Sequence, residues 1–187
     1  MSSSTDDAPV ETEAGFAHVA DGFERLWTPH RMAYINGQRP TAEAGPECPF
    51  CVAPQRPDAD GLIVHRGTLC YVVLNLFPYN PGHLLICPYR HVSLYVDLTA
   101  EETEEFSALT KDCLRALQAA SAPMGFNIGM NQGSVAGAGI AAHLHQHVVP
   151  RWGGDMNFLP IIAQTKALPA LLEDTRQALV AAWANLP

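Results

Sequence analysis

Residues 143–149 read HLHQHVV, which sets imidazoles at His143, His145 and His147 with one residue between each. Side chains alternate across an extended strand, so these three share one face, ~6.5–7 Å apart, while Leu144, Gln146 and Val148 share the other. Such a row can do two kinds of chemistry. It can chelate a metal, usually through two imidazoles and a third ligand from elsewhere. It can also attack phosphorus through one neutral imidazole whose other nitrogen is held by an acceptor, with neighbouring histidines donating to phosphate oxygens or to the leaving group. Incidental histidines on a strand account for one such residue and poorly for three in alternation.

The stretch just upstream, NQGSVAGAG (131–139), supplies three glycines and several small residues. Backbone N–H groups in such a loop can approach an anion closely without any net positive charge. Placed directly before a histidine row, this loop favours phosphate chemistry over plain zinc hydrolysis. A second cluster is CPFC, Cys48 and Cys51 with two residues between them. That spacing fits zinc or a redox pair; the redox version expects a thioredoxin-like setting, which the surrounding pattern does not offer. A structural zinc would need two further ligands. Cys70, Cys87 and Cys113 lie in apolar stretches and read as core thiols. His18, His30 and His65 belong to no constellation, and His83 reads as a structural hydrogen-bonding residue of a Pro-Gly-His turn.

The elements that must position these residues follow from pattern. LIVHR (62–66), LCYVVLNL (69–76) and HLLICP (83–88) are rich in β-branched and aromatic residues and read as strands, with FPYNPG (77–82) as dense turn chemistry. GFNIGMN (125–131) and HLHQHVVP (143–150) are two more. Residues 99–120 predict a helix: Thr99 and Glu102 form a capping box, and Phe106, Leu109, Cys113 and Leu117 fall on one face. Residues 168–186 predict a second amphipathic helix, and 23–35 an ordered lead-in before a Gly/Pro-rich loop. The order of elements is that of an α+β fold with a mainly antiparallel sheet of about five strands and two principal helices.

Bulk properties bound the function. The chain has 187 residues, enough for one domain with a sizeable core, expected over 21–187. Residues 1–20 are polar and acidic without periodicity and read as a disordered tail, not a signal peptide. A formal charge of −8 argues against a nucleic-acid backbone binder. No apolar run approaches a membrane span of about 20 residues. A cytoplasmic protein with reduced thiols is the expectation.

The string HLHQHVV resembles the signature of the histidine-triad (HIT) family, His-φ-His-φ-His-φ-φ with φ mostly apolar, Gln146 being a polar exception. The likeness extends through NQGSVAGAG and LNLFPYNPGHLLICPYRHV (74–92), and covers residues ~48–160 in order. HLHQHVVPRWGGDMNF looks most like a bacterial branch that includes diadenosine tetraphosphate phosphorylases. The resemblance implies that His145 is the nucleophile forming a nucleotidyl-histidine intermediate, and that His147 contacts the phosphate and assists the leaving group. It places Asn75 and Leu76 at the ribose, and Asn131, Gly137, Ala138 and Gly139 at the phosphate. Some branches complete a structural zinc site with a histidine after the P-x-x-H strand end and the first of the triad, here His91 and His143 with Cys48 and Cys51. It also implies a HIT-like fold, a homodimer, a nucleotide or dinucleoside polyphosphate substrate with inorganic phosphate as acceptor, and a divalent cation accompanying the substrate.

Many family members carry Gly-Gln-Ser/Thr before the histidines; here the stretch is Ala138-Gly139-Ile140, with one extra residue before His143. That departure bears on the leaving group and substrate rather than on the nucleophile. Water as acceptor, phosphoramidate substrates, a binding protein with little turnover, and a zinc hydrolase using all three histidines are the alternatives. Trp152 and residues 153–158 would serve a nucleotide contact, a subunit contact or packing.

Overall fold

The computed structural model describes residues 48–155 and 170–186. The expected tail (1–20), the lead-in at 23–35, the loop up to residue 47, residues 156–158 and the first two residues of the expected final helix lie outside that range.

Five strands form one antiparallel sheet: β1 (Ile63–Arg66), β2 (Cys70–Leu74), β3 (Leu84–Pro88), β4 (Gly125–Met130) and β5 (Gln146–Arg151). Their spatial order is β1-β2-β3-β5-β4. The histidine strand is thereby inserted beside β3, and β4 becomes an outer edge. Three α-helices are described: α1 (Pro49–Val52), α2 (Ala100–Ser121) and α3 (Leu172–Trp183).

The two central strands are apolar at every position because both of their faces are covered. On one face Cys70, Val72 and Leu74 of β2, Leu84 and Ile86 of β3 and Val148 of β5 pack against Phe106, Leu109, Cys113 and Leu117 of α2 and Leu179 of α3. Phe106 and Leu117 are almost fully enclosed, each contributing roughly 1.5–3 kcal/mol of burial. On the opposite face Ile63, Tyr71, Val73, Leu85 and Cys87 pack against Cys48 and Phe50 of the α1 segment. The register carries the alternation across the sheet: Val73 lies opposite Leu85, Leu85 opposite His147, and His147 opposite Gly129. His147 therefore stands on the α1 face, and Gln146 on the helical face, where its amide donates to Thr110 Oγ1 at 2.8 Å.

The capping box at the start of α2 forms as expected: Glu102 N–H donates to Thr99 Oγ1 at 3.2 Å and Thr99 N–H to Glu102 Oε2 at 2.8 Å. The same carboxylate receives Arg90, with Nε at 2.9 Å and a terminal nitrogen at 2.6 Å, which pins the segment leading to His91 onto the helix. The expected strand 143–150 is corrected at its start. Regular pairing begins at Gln146, opposite Ile86. Upstream of it Leu144 N–H donates to Val92 O, and Pro88 O is taken by the His143 ring, so backbone ladder gives way to side-chain and loop partners. The first three strands and the final helix are also shorter than their apolar patterns, the usual fraying of pattern into turn.

The hairpin joining β1 to β2 turns on Gly67. A Cβ there would stand 2.0 Å from Glu105 Oε1 and 2.9 Å from Cys70 O. Moving Glu105 aside is costly because its carboxylate accepts from Leu69 N–H and Cys70 N–H. Gly67→Ala is expected to destabilise the fold by about 1–3 kcal/mol. The check is a lower urea midpoint at unchanged slope; an unmoved midpoint would show that the hairpin relaxes freely.

Candidate active site

The α1 segment is a tight knuckle. Cys48 O accepts from both Cys51 N–H and Val52 N–H at 3.0 Å, and Pro49 at the first helical position needs no hydrogen bond of its own. Tyr71 Oη donates to Phe50 O at 2.6 Å, locking the knuckle to β2. The turn carries both thiols to two histidines far along the chain. Cys51 Sγ lies 3.2 Å from His91 Nδ1, and both sulfurs lie 3.5 Å from His143 Nδ1. The four ligand atoms all fall within 4.8 Å of one another.

The chemistry of this donor set fits a metal. His143 Nε2 lies 2.9 Å from Pro88 O, which can only accept, so the ring proton sits on Nε2 and the Nδ1 lone pair faces the sulfurs. Fixing a ligating imidazole through its other nitrogen is what a metal site requires. Burial and the adjoining Cys48 push the Cys51 thiol up to about 11, since two neighbouring thiolates need a cation between them. Burial also lowers His143 to about 4, keeping it neutral and able to ligate.

Two residues on, the same strand changes task. His145 Nδ1 lies 2.8 Å from the His143 carbonyl oxygen. That nitrogen must donate, so Nε2 carries the lone pair. The ring is 5% exposed and packs against Phe50 with centroids 4.8 Å apart. Burial lowers its pKa, which keeps the imidazole neutral.

His147 is fixed by a chain of hydrogen bonds. Tyr79 N–H donates to His83 Nδ1 at 3.1 Å, and the Asn75 amide nitrogen reaches the same atom at 3.1 Å. In a neutral ring the His83 proton is thus on Nε2, which meets His147 Nδ1 at 2.9 Å. His147 accepts there and carries its own proton on Nε2. Burial first, then the neighbouring His145, lowers its pKa to about 4. His145 and His147 therefore present complementary faces, an unprotonated Nε2 beside an Nε2–H, with ring centroids 5.0 Å apart.

Sequence reasoning placed His145 and His147 together and missed His83 as their partner. The Pro-Gly-His turn was visible, and Gly82 does adopt φ +80° to make it, but a 64-residue separation from His147 has no local signature. Asn75 follows β2 and is half-buried. Its Oδ1 accepts from Phe77 N–H while its nitrogen serves His83, so it positions the histidine chain whatever else it binds. Leu76 beside it is exposed. Asn131 follows β4 and lines a cleft with His147. Gly137 adopts φ +83° and its N–H donates to Ser134 O, so it shapes the loop; Ala138 and Gly139 follow it toward Ile140, which packs on the knuckle. Of these residues, Asn75 joins His147 through His83, and Asn131 shares the cleft with His147.

Comparison with known proteins agrees with this geometry. The model of the HIT domain matches residues 56–154. Over 171 residues the chain is 50% identical to the AP-4-A phosphorylase of Mycobacterium tuberculosis, covering 89% of this chain and 88% of that one. A bifunctional bis(5'-adenosyl)-triphosphatase/adenylylsulfatase of Arabidopsis thaliana is 34% identical over 93 residues, 50% of this chain and 51% of that one. Among solved structures, a zinc-bound histidine triad family protein from Mycobacterium smegmatis superposes with a TM-score of 0.59 at 25% identity, covering 74% of this chain and 94% of that one. A triad-bearing strand in an antiparallel five-stranded sheet, matched along most of its length by such relatives, makes this chain a member of the HIT domain family.

Proposed function

We propose that this chain is a nucleotidyltransferase that cleaves dinucleoside polyphosphates, diadenosine tetraphosphate foremost, and passes the nucleotidyl group from His145 to inorganic phosphate. The observation that carries this reading is the tautomer pair, a lone pair on His145 Nε2 beside a proton on His147 Nε2. His145 Nε2 attacks the α-phosphorus; an N–P bond forms and the bond to the bridging oxygen breaks, releasing ATP. His147 Nε2–H hydrogen-bonds that oxygen as charge develops on it. A phosphate oxygen then attacks the same phosphorus, the N–P bond breaks, and ADP departs. The backbone of Ala138 and Gly139 with the Asn131 amide serves the transferred phosphate, and Asn75 and Leu76 serve its nucleoside. The choice of phosphate as acceptor is supported by the 50% identity to AP-4-A phosphorylase.

The reading includes zinc on Cys48, Cys51, His91 and His143, supported by the clustered donors and by the zinc-bound relative of the same fold. Zinc there would tie α1, the end of β3 and the histidine strand together; with all four positions supplied by protein it leaves no open coordination site for substrate. A divalent cation accompanying the substrate would shield a polyphosphate that meets a chain of net charge −8. A cytoplasmic homodimer belongs to the same reading, paired through β4, the outer strand among the described residues. No helix among the described residues is long and apolar enough to cross a membrane.

The deciding experiment incubates diadenosine tetraphosphate with the protein with and without inorganic phosphate. ADP and ATP formed only with phosphate are expected; AMP and ATP formed without it would make water the acceptor and overturn the phosphorylase reading. His83 offers a finer check. His83→Leu should lower kcat on the order of 10²-fold with little change in KM, because His147 loses the donor that sets its tautomer. Nitrogen-15 shifts of His147 should change with it. A kcat within threefold of the parent would remove His83 from the machinery.

A further inference from the structure

The helices cover one face of the whole sheet, but the knuckle covers the other face only over β1, β2 and β3. The outer half of that face, on β5 and β4, is a cleft of about 400 Å³. It starts at His147 and runs past Asn131, Gly129, Val149 and Asn127 to Arg151, with Tyr79 as a side wall. On β5, His147, Val149 and Arg151 share this face, so Arg151 stands four residues beyond His147, ~13 Å along the strand. Its guanidinium folds back to Asn127, whose Oδ1 accepts at 2.6 Å. Asn127 is opposite Val149, which brings the cation to within ~7–13 Å of the His147 row.

Arg151 is also held rigidly. Asp155 takes Nε at 2.5 Å and a terminal nitrogen at 2.9 Å, and Asp155 is itself fixed by Asn80 and Trp152 N–H. These contacts use three of the five guanidinium N–H groups and leave two for a ligand. A fixed fork of this kind recognises phosphate oxygens.

In-line displacement puts the leaving group on the side of phosphorus away from the attacking nitrogen. His145 lies against Phe50 on the covered part of the face and His147 lines the cleft, so a leaving group opposite His145 and held by His147 departs into the cleft. From this, resting on the reading of His145 as nucleophile, we propose that the β4–β5 cleft binds the leaving nucleoside triphosphate, with Arg151 and Asn127 on its distal phosphates. The same cleft then admits the inorganic phosphate once the triphosphate has left. Arg151 and Asn127 thereby select substrates by their leaving half, independently of the nucleotide that is transferred.

The test compares two substrates that deliver the same AMP group. Diadenosine tetraphosphate has the full leaving half; the p-nitrophenyl ester of AMP has a leaving group of similar acidity with nothing to fill the cleft. In Arg151→Gln and in the isosteric Asn127→Asp, which sets a carboxylate against the guanidinium, the ratio of kcat/KM for the first substrate to the second should fall about tenfold or more. Inhibition of p-nitrophenyl ester turnover by ATP should weaken by a similar factor. A ratio and an ATP inhibition constant within twofold of the parent in Asn127→Asp would overturn the proposal, and Asn127→Asp decides alone if Arg151→Gln does not fold. Failure of the parent to release p-nitrophenol at all would instead count against His145 as nucleophile.

Discussion

Replacing His145 by alanine is expected to lower kcat for dinucleotide cleavage by roughly 10⁴–10⁶-fold, since the nucleophile is lost outright. The substitution should leave folding intact. Among the described residues His145 lends the fold one hydrogen bond, to the His143 carbonyl, and ring contacts with Phe50 and His147. The matching measurement is a single-turnover reaction quenched in alkali, where a phosphoramidate survives. The parent should yield a stoichiometric nucleotidyl-protein and the variant none. His147→Ala should behave differently, still forming the adduct but more slowly, because it removes a donor and not the attacking atom. Turnover in His145→Ala within tenfold of the parent would end the covalent mechanism.

The second large effect concerns the four-donor cluster. On the zinc reading proposed above, Cys51→Ser is expected to cost about 4 kcal/mol, by removing one of four donors from a centre whose remaining groups are half or fully buried. For a domain of this size that is a drop in Tm of about 8–16 °C. Chelation of the parent protein should reproduce the loss, with activity decaying at the rate of unfolding and not at once. The distinction matters because the four-donor cluster and the reacting pair adjoin within residues 143–147. His143 turns Nδ1 to the sulfurs, whereas His145 turns the same atom to a backbone carbonyl. Instant loss of activity at unchanged Tm would mean that metal serves the reaction directly.

Much of the fold was legible because its determinants are local. The Thr99–Glu102 box and the spacing of Phe106, Leu109, Cys113 and Leu117 specify α2, and the structure forms each of those contacts. Strict alternation in HLHQHVV put the three imidazoles on one side, and register with β3 and β4 keeps His147 there. The four-donor set was reached through family resemblance, not spacing: nothing in CPFC points to residues 40 and 95 positions away. What stayed illegible is of the same kind. His83 meets His147, Arg90 ties the His91 segment to Glu102, and Arg151 folds onto Asn127, each through tertiary placement. Asn75, expected at the ribose, has a further role in holding the histidine chain, since its amide serves His83 and Phe77 N–H. The start of β5 was misjudged because apolar alternation cannot show that Val92 O and Pro88 O intercept the ladder.

The Cys48–His143 contact bridges 95 positions, from the knuckle to the residues that lead into the last strand of the sheet. As the chain emerges during synthesis, both thiols are available long before their imidazole partner, and β4 and the small-residue loop must be made in between. The ligand set therefore becomes complete only when the histidine strand has been threaded between β3 and β4. Pairings of such long range are slow to form. On the zinc reading proposed above, a chain arrested before residue 143 would hold both thiols and His91 without the fourth donor.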